Sequence, residues 1–131
     1  MPRAEHVEVI RAGRSASIRR LSAQEEFRST CGFRRDLTLA APGEPLWFHF
    51  LRIQDARRHS HRRTTEYYFV VDGDGFIELD DDRVAIGKGD LVVIPPGTRH
   101  DAIPGASGEL QVLIVAVPDP HDDQQDEDYY P

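Results

Sequence analysis

Three histidines and a glutamate have the side-chain types and spacing to hold a metal ion. His59 and His61 are two positions apart, Glu66 lies five residues further on, and His100 follows the glutamate by thirty-four residues. Imidazole and carboxylate together suit a divalent Fe, Mn, Ni, Cu or Zn ion, and the lack of a thiolate in the set argues against a purely structural zinc site. A four-donor set leaves one or two positions open on a five- or six-coordinate ion, where water, dioxygen or a bidentate substrate can bind.

For those donors to converge, the chain must bend. Side chains on a strand alternate faces, so His59 and His61 point the same way and Ser60 the other. Glu66 is an odd step beyond His61, so Arg62-Arg63-Thr64-Thr65 must bend or bulge to return the carboxylate to the histidine face. Beyond the bend Glu66, Tyr68 and Val70 share one face, and Tyr67, Phe69 and Val71 the other. Pro95-Pro96-Gly97-Thr98 is a stiff turn that fixes where the strand carrying His100 begins.

The elements around these residues read as short strands. Residues 33–39 and 46–53 are separated by a turn around Pro42-Gly43. Residues 66–71 run to Asp72-Gly73-Asp74-Gly75, which reads as a hairpin turn, and 76–79 follow. Strands over 84–86, 91–94, 100–103 and 110–117 are punctuated by Gly87-Lys88-Gly89, Pro95-Pro96-Gly97 and Pro104-Gly105. Short strands with turn signals at this interval indicate an all-β sandwich or barrel. Nearer the start, residues 7–10 and 15–21 are candidate strands, and Ser22-Ala23-Gln24-Glu25 has capping-box spacing for one helical turn through Arg28.

Composition removes several function classes. At 131 residues the chain makes one domain with one core. It has no 18-residue apolar run and no charged-then-apolar start, so neither a membrane span nor a secretory signal is expected. Its single cysteine, Cys31, fits a reducing cytoplasm as a small buried residue. The net charge of −7 comes mostly from the end of the chain: of 23 acidic residues, six lie in 118–131, which leaves 17 against 16 Lys and Arg. Nucleic-acid binding is therefore not expected. The Pro- and Asp-rich stretch 118–131 reads as an acidic, partly disordered tail. Asp72-Gly73-Asp74-Gly75 does not open a calcium loop, whose twelfth position would be Arg83, and Gly73-x-Gly75 lacks the third glycine of a dinucleotide site.

The two ligand-bearing stretches resemble the paired motifs of the cupin superfamily. The first reads His59-x-His61, four residues, Glu66, six residues, Gly73. The second reads Gly89, five residues, Pro95-x-Gly97, two residues, His100, with fifteen residues between Gly73 and Gly89. The chain departs from the family pattern at Ile53, where a glycine is usual, and at Pro104, where asparagine is frequent. The resemblance implies a small single-domain cupin of the double-stranded β-helix (jelly-roll) type, with an N-terminal arm over 1–32, a barrel over 33–117 and the tail beyond. It also implies metal ligation by His59, His61, Glu66 and His100. Because cupins frequently pair through N-terminal strands, a homodimer is expected.

Two residues are candidates for proton chemistry beside the ion: Tyr68, on the glutamate's face, and His49, on an otherwise apolar strand. His6 and His121 lie outside the motifs. Phe48, Phe50, Ile94 and Ile114 are candidates for core or pocket wall. Arg57, Arg58, Arg62 and Arg63, with Arg99, are expected to make a positive mouth that favours a small anion, a carboxylate above all. The resulting expectation is a metal-dependent enzyme, oxygenase-like or performing a related Lewis-acid conversion on a small anionic metabolite. The alternatives are a non-catalytic cupin that binds or senses a metal or small ligand, and a dimer whose metal only staples the barrel.

Overall fold

A computed structural model of the chain describes residues 4–29, 31–39, 44–55, 58–119 and 128–129. Among them the chain is almost entirely β. Strands β1 (Ile10–Ala12) and β2 (Ala16–Ile18) form a small hairpin, followed by a 3-10 turn at Leu21–Ala23. Then come β3 (Phe27–Arg28), β4 (Gly32–Asp36), β5 (Trp47–Ile53), β6 (Ser60–His61), β7 (Thr64–Leu79) and β8 (Asp82–Gly87). The last four are β9 (Leu91–Ile94), β10 (His100–Pro104), β11 (Leu110–Pro118) and β12 (Asp128–Tyr129). The expected capped helical turn through Arg28 is not formed. The 3-10 turn starts after Arg20 with no side-chain cap, and Phe27 and Arg28 instead pair with Arg34 and Phe33.

The barrel is organised by β7, which takes part in both of its sheets. Its first half pairs with β9 and β11, and its second half with β8 and β10. On the far side of β11 the order continues through β5, β4 and β3. This is a jelly-roll barrel, with every major pairing antiparallel.

Asp72-Gly73-Asp74-Gly75 is not the hairpin turn its composition suggests, because β7 runs through it without a break. The reason is the fit of one backbone against another. A Cβ on Gly73, where φ is +86°, would stand 2.5 Å from the Glu109 carbonyl oxygen, and one on Gly75 would stand 2.1 Å from that of Ile103. Side chains cannot occupy those points, so glycine is what lets the strand bend from one sheet into the other. A register shift between Gln111 and Val112 on β11 absorbs the bend as a bulge.

Inside the barrel the alternation holds. β5 and the first half of β7 bury every second residue, and Ile53, Val70, Ile77, Leu110 and Val112 pack in one cluster. Each such aliphatic contributes roughly 1.5–3 kcal/mol on burial. That cluster fills one part of the barrel, and polar side chains occupy the rest. The expectation for the tail falls mainly on residues outside the described set, but Asp128 and Tyr129 pair with His61 and Ser60. Among the described residues no helix is long and apolar enough to cross a membrane.

Candidate metal centre

The four expected ligands meet. His59 sits just before β6 in an isolated bridge to His100, the two exchanging backbone hydrogen bonds of 3.1 and 2.8 Å. His61 ends β6, a bend at Arg62 and Arg63 follows, and Glu66 enters from β7 on the inner face. The bend demanded by the odd spacing is therefore present. One donor atom from each of His59, His61, Glu66 and His100 lies within 4.8 Å of all the others. Donors on opposite sides of an ion at about 2.0–2.2 Å stand roughly 4.0–4.4 Å apart, so a contraction of a few tenths of an ångström would close the set on one ion.

Hydrogen bonding sets the chemistry of His100. Its Nδ1 lies 2.9 Å from the Thr98 carbonyl oxygen, an acceptor, so Nδ1 carries the proton and Nε2 keeps a lone pair. That Nε2 faces Glu66 Oε1 at 3.1 Å, and the same oxygen lies 2.7 Å from His61 Nε2. His100 and Glu66 are buried. Two electron-rich atoms in such contact need a cation between them, either a proton or a metal ion. The quartet therefore fits a divalent transition metal. Burial pushes the Glu66 carboxyl up, but its close contacts with the His100 and His61 rings outweigh it, holding the group well below the usual carboxylate range.

The turn before His100 does more than set a direction. Gly97, at φ +84°, donates its N–H to the His61 carbonyl at 2.7 Å, which ties the turn to the ligand strand. Thr98, one residue on, presents the carbonyl that orients His100. The Pro95-x-Gly97-x-x-His100 spacing thus builds both a ligand and its orienting acceptor.

Tyr68 and His49 line one cavity with three of the donors, His59, His61 and Glu66, and with Arg34, Cys31, Ser29, Leu51 and Ile114. The Tyr68 ring meets His100 edge-on, centroids 5.9 Å apart. His49 Nδ1 lies 3.4 Å from Asp36 Oδ1. Burial holds the His49 ring below its ordinary value, against the opposing pull of Asp36, so it is a neutral imidazole around neutral pH. Ile114 lines the cavity and Ile94 is core, whereas Phe48 and Phe50 are half-buried on the outer face. The cavity itself is small, about 20 Å³, enough for an ion or one water molecule.

The positive mouth is largely neutralised. Arg58 pairs with Glu78 at 3.7 Å and donates to the Asp80 carbonyl, and Arg99 lies 3.8 Å from Asp81. Arg62 and Arg63 are exposed, and Arg57 lies outside the described residues. Among the described residues, the arginine that reaches the cavity is Arg34, which is paired with Asp36. Arg34 and Asp36 were not singled out from the sequence. Their signal there is a charged i, i+2 pair on a short strand, and it is the strand register that sets Asp36 opposite His49.

A family model described as a cupin domain matches residues 47–116, more than half of the chain, and the chain belongs to the cupin family. It is 32% identical over 60 residues to the uncharacterized protein MJ1618 of Methanocaldococcus jannaschii, a match covering 46% of this chain and 48% of the relative. The match thus spans about half the length of that relative. A protein from Planctomyces limnophilus has a similar crystal structure, with 27% identity, a TM-score of 0.70 and coverage of 86% of this chain and 95% of the other. Pac13, a nucleoside dehydratase from Streptomyces, has a similar fold at 17% identity and a TM-score of 0.63, covering 86% and 91% of the two chains.

Proposed function

We propose that this barrel is a metal-dependent enzyme, oxygenase-like or performing a related Lewis-acid conversion, that acts on a small anionic metabolite, a carboxylate fitting best. The observation that carries the reading is one cavity lined both by metal donors and by two groups able to move protons, His49 and Tyr68. A divalent ion held by His59, His61, Glu66 and His100 would supply Lewis acidity and, for a redox-active element, electron transfer. Three neutral imidazoles and one carboxylate leave such a site with a formal charge of about +1, which favours an anion.

The chain's own residues then divide the work. Glu66 would offset part of such an ion's charge. His49, neutral in its buried position, accepts a proton from the substrate, and the Tyr68 hydroxyl donates a hydrogen bond to a developing oxyanion. Leu51 and Ile114 supply apolar wall that keeps water away. Pac13, a similar barrel, is a nucleoside dehydratase and has been seen with uridine; this supports a small polar metabolite as the class of ligand.

The small cavity favours one alternative, a non-catalytic barrel that binds or senses a metal or small ligand. The enzyme reading requires an open coordination position on the ion, and titrating cobalt(II)-loaded protein with oxalate tests for it. An open coordination position is expected to change the visible bands of the bound cobalt, whereas bands that stay fixed at saturating oxalate would rule the enzyme reading out.

We also propose that the barrel works as a homodimer. The outer face of one sheet carries Phe50, Leu113, Phe69 and Leu91 in one cross-strand row and Phe48, Val115, Tyr67 and Val93 in the next. Phe69, Leu91 and Val93 are exposed. A solvated sheet face is normally polar, and an apolar patch of this kind supports burial against a partner. The β1–β2 hairpin, with Ile10 and Ile18 exposed, would act as its arm. Light scattering is expected to give twice the chain mass, and Leu91→Glu half of that; a wild-type monomer at tens of micromolar would contradict the proposal.

A further inference from the structure

Arg34, Asp36 and His49 form a buried charged group with no part in ligating an ion. Arg34 and Asp36 point inward from β4, and Asp36 stands opposite His49 in the register with β5. Side-chain exposure is 1% for Arg34, 2% for Asp36 and 5% for His49. Withdrawing ions from water costs several kcal/mol per ion, and the mutual attraction of a buried pair often fails to repay it. A core built for stability alone would be filled here with aliphatic residues, as it is around Val70 and Val112. The charged group instead borders the metal cavity, which Arg34 and His49 both line.

Its geometry has one consistent proton arrangement. Arg34 grips the Asp36 carboxylate with both prongs, Nε to Oδ1 at 2.8 Å and Nη2 to Oδ2 at 3.2 Å. The guanidinium is held over the Phe27 ring at 4.9 Å, and the Ala4 amide donates to Oδ2 at 2.9 Å. A carboxylate so engaged stays ionised and only accepts hydrogen bonds. The His49 nitrogen that faces it is Nδ1, 3.4 Å from Oδ1, so Nδ1 is the one placed to donate. The proton sits on Nδ1, and Nε2, on the opposite side of the ring, keeps its lone pair.

We propose that Asp36 and Arg34 are positioning residues for His49, fixing its tautomer so that Nε2 serves as the base beside the metal cavity. This rests on the reading that His49 meets the substrate. In the step it serves, a substrate C–H or O–H bond breaks, its electron pair stays on the substrate atom, and the proton forms the Nε2–H bond. Asp36 then faces an imidazolium whose charge it offsets, the role an aspartate plays behind a catalytic histidine elsewhere.

The tautomer is read directly by two-bond ¹H–¹⁵N correlation on the labelled full-length chain, metal-free and loaded with zinc. In the wild type His49 is expected as the Nδ1–H form, with an unprotonated Nε2. Asp36→Asn is expected to move most of the population to the Nε2–H form, and Arg34→Lys, which keeps the charge but loses the fork, to give a mixture. A wild-type ring protonated on Nε2, or an Asp36→Asn ring unchanged from wild type, overturns the proposal. The wild-type spectrum decides even if Asp36→Asn does not fold. Failure to bind zinc would count against the metal reading, and the metal-free tautomer would still judge this inference.

Discussion

Replacing His61 with alanine is expected to lower the affinity for a divalent metal by roughly 100-fold or more, since even residues that only orient a ligand cost 10–100-fold. His61 ends the two-residue strand β6 and lies 2.7 Å from Glu66, so its loss removes both a donor and a neighbour of the carboxylate. Glu66→Gln keeps the shape but removes the only negative charge of the set, and should weaken binding of a 2+ ion while leaving the barrel folded. His6→Ala is the control, because His6 is exposed and pairs with Glu8 at 3.5 Å. Isothermal titration with Mn(II) or Co(II) ranks the three. Equal affinities for His61→Ala and His6→Ala would break the ligand assignment.

Arg34→Leu is expected to destabilise the fold by roughly 3–5 kcal/mol, a fall in melting temperature of roughly 10–20 °C. The cause is the Asp36 carboxylate left buried without its guanidinium, so the paired change Arg34→Leu with Asp36→Leu should recover much of the loss. The sign of the pH dependence follows from the same contacts. Burial raises the Asp36 carboxyl, but His49, Arg34 and the Ala4 amide outweigh it and hold the group at about 2, below its ordinary 3.8. A depressed carboxyl contributes stability that is complete above its unfolded value and fades as pH falls through its folded one, here roughly 2 kcal/mol. Wild-type stability should therefore decline between about pH 4 and pH 2, and this part of the acid loss should be missing in the doubly substituted chain. His49 adds to acid sensitivity from higher pH, because below about 6.5 the unfolded chain takes up a proton that the buried ring resists. Denaturant unfolding across that range checks both statements; an Arg34→Leu chain as stable as wild type would remove the ion pair from the account.

The metal donors were legible because type and spacing carry the information. His59, His61, Glu66 and His100 are few, chemically distinctive, and set beside turn residues that have only one use. The bend at Arg62 and Arg63 could even be deduced from an odd count. The Asp72–Gly75 stretch was misread because glycine serves two purposes that look alike in one dimension. Here it admits the carbonyls of Glu109 and Ile103 to the strand, and neither neighbour is visible from local sequence. Arg34 and Asp36 were hidden by alternation itself. On β4 the apolar Phe33 suggests the inner face, yet Arg34 and Asp36 face in, while Phe33 is flanked by Arg28 and Arg52 at 5.4 and 5.0 Å. The arginines around the ligand loop looked like a positive mouth because the acids that neutralise Arg58 and Arg99 lie about twenty residues away along the chain.

The most direct measurement is the metal content of protein purified without chelators or a metal-binding tag. A metal centre at this quartet means about one divalent transition ion per chain, lost on His61→Ala and diminished on Glu66→Gln. Protein that purifies without metal and also refuses added Fe(II), Mn(II), Ni(II) and Zn(II) would contradict it.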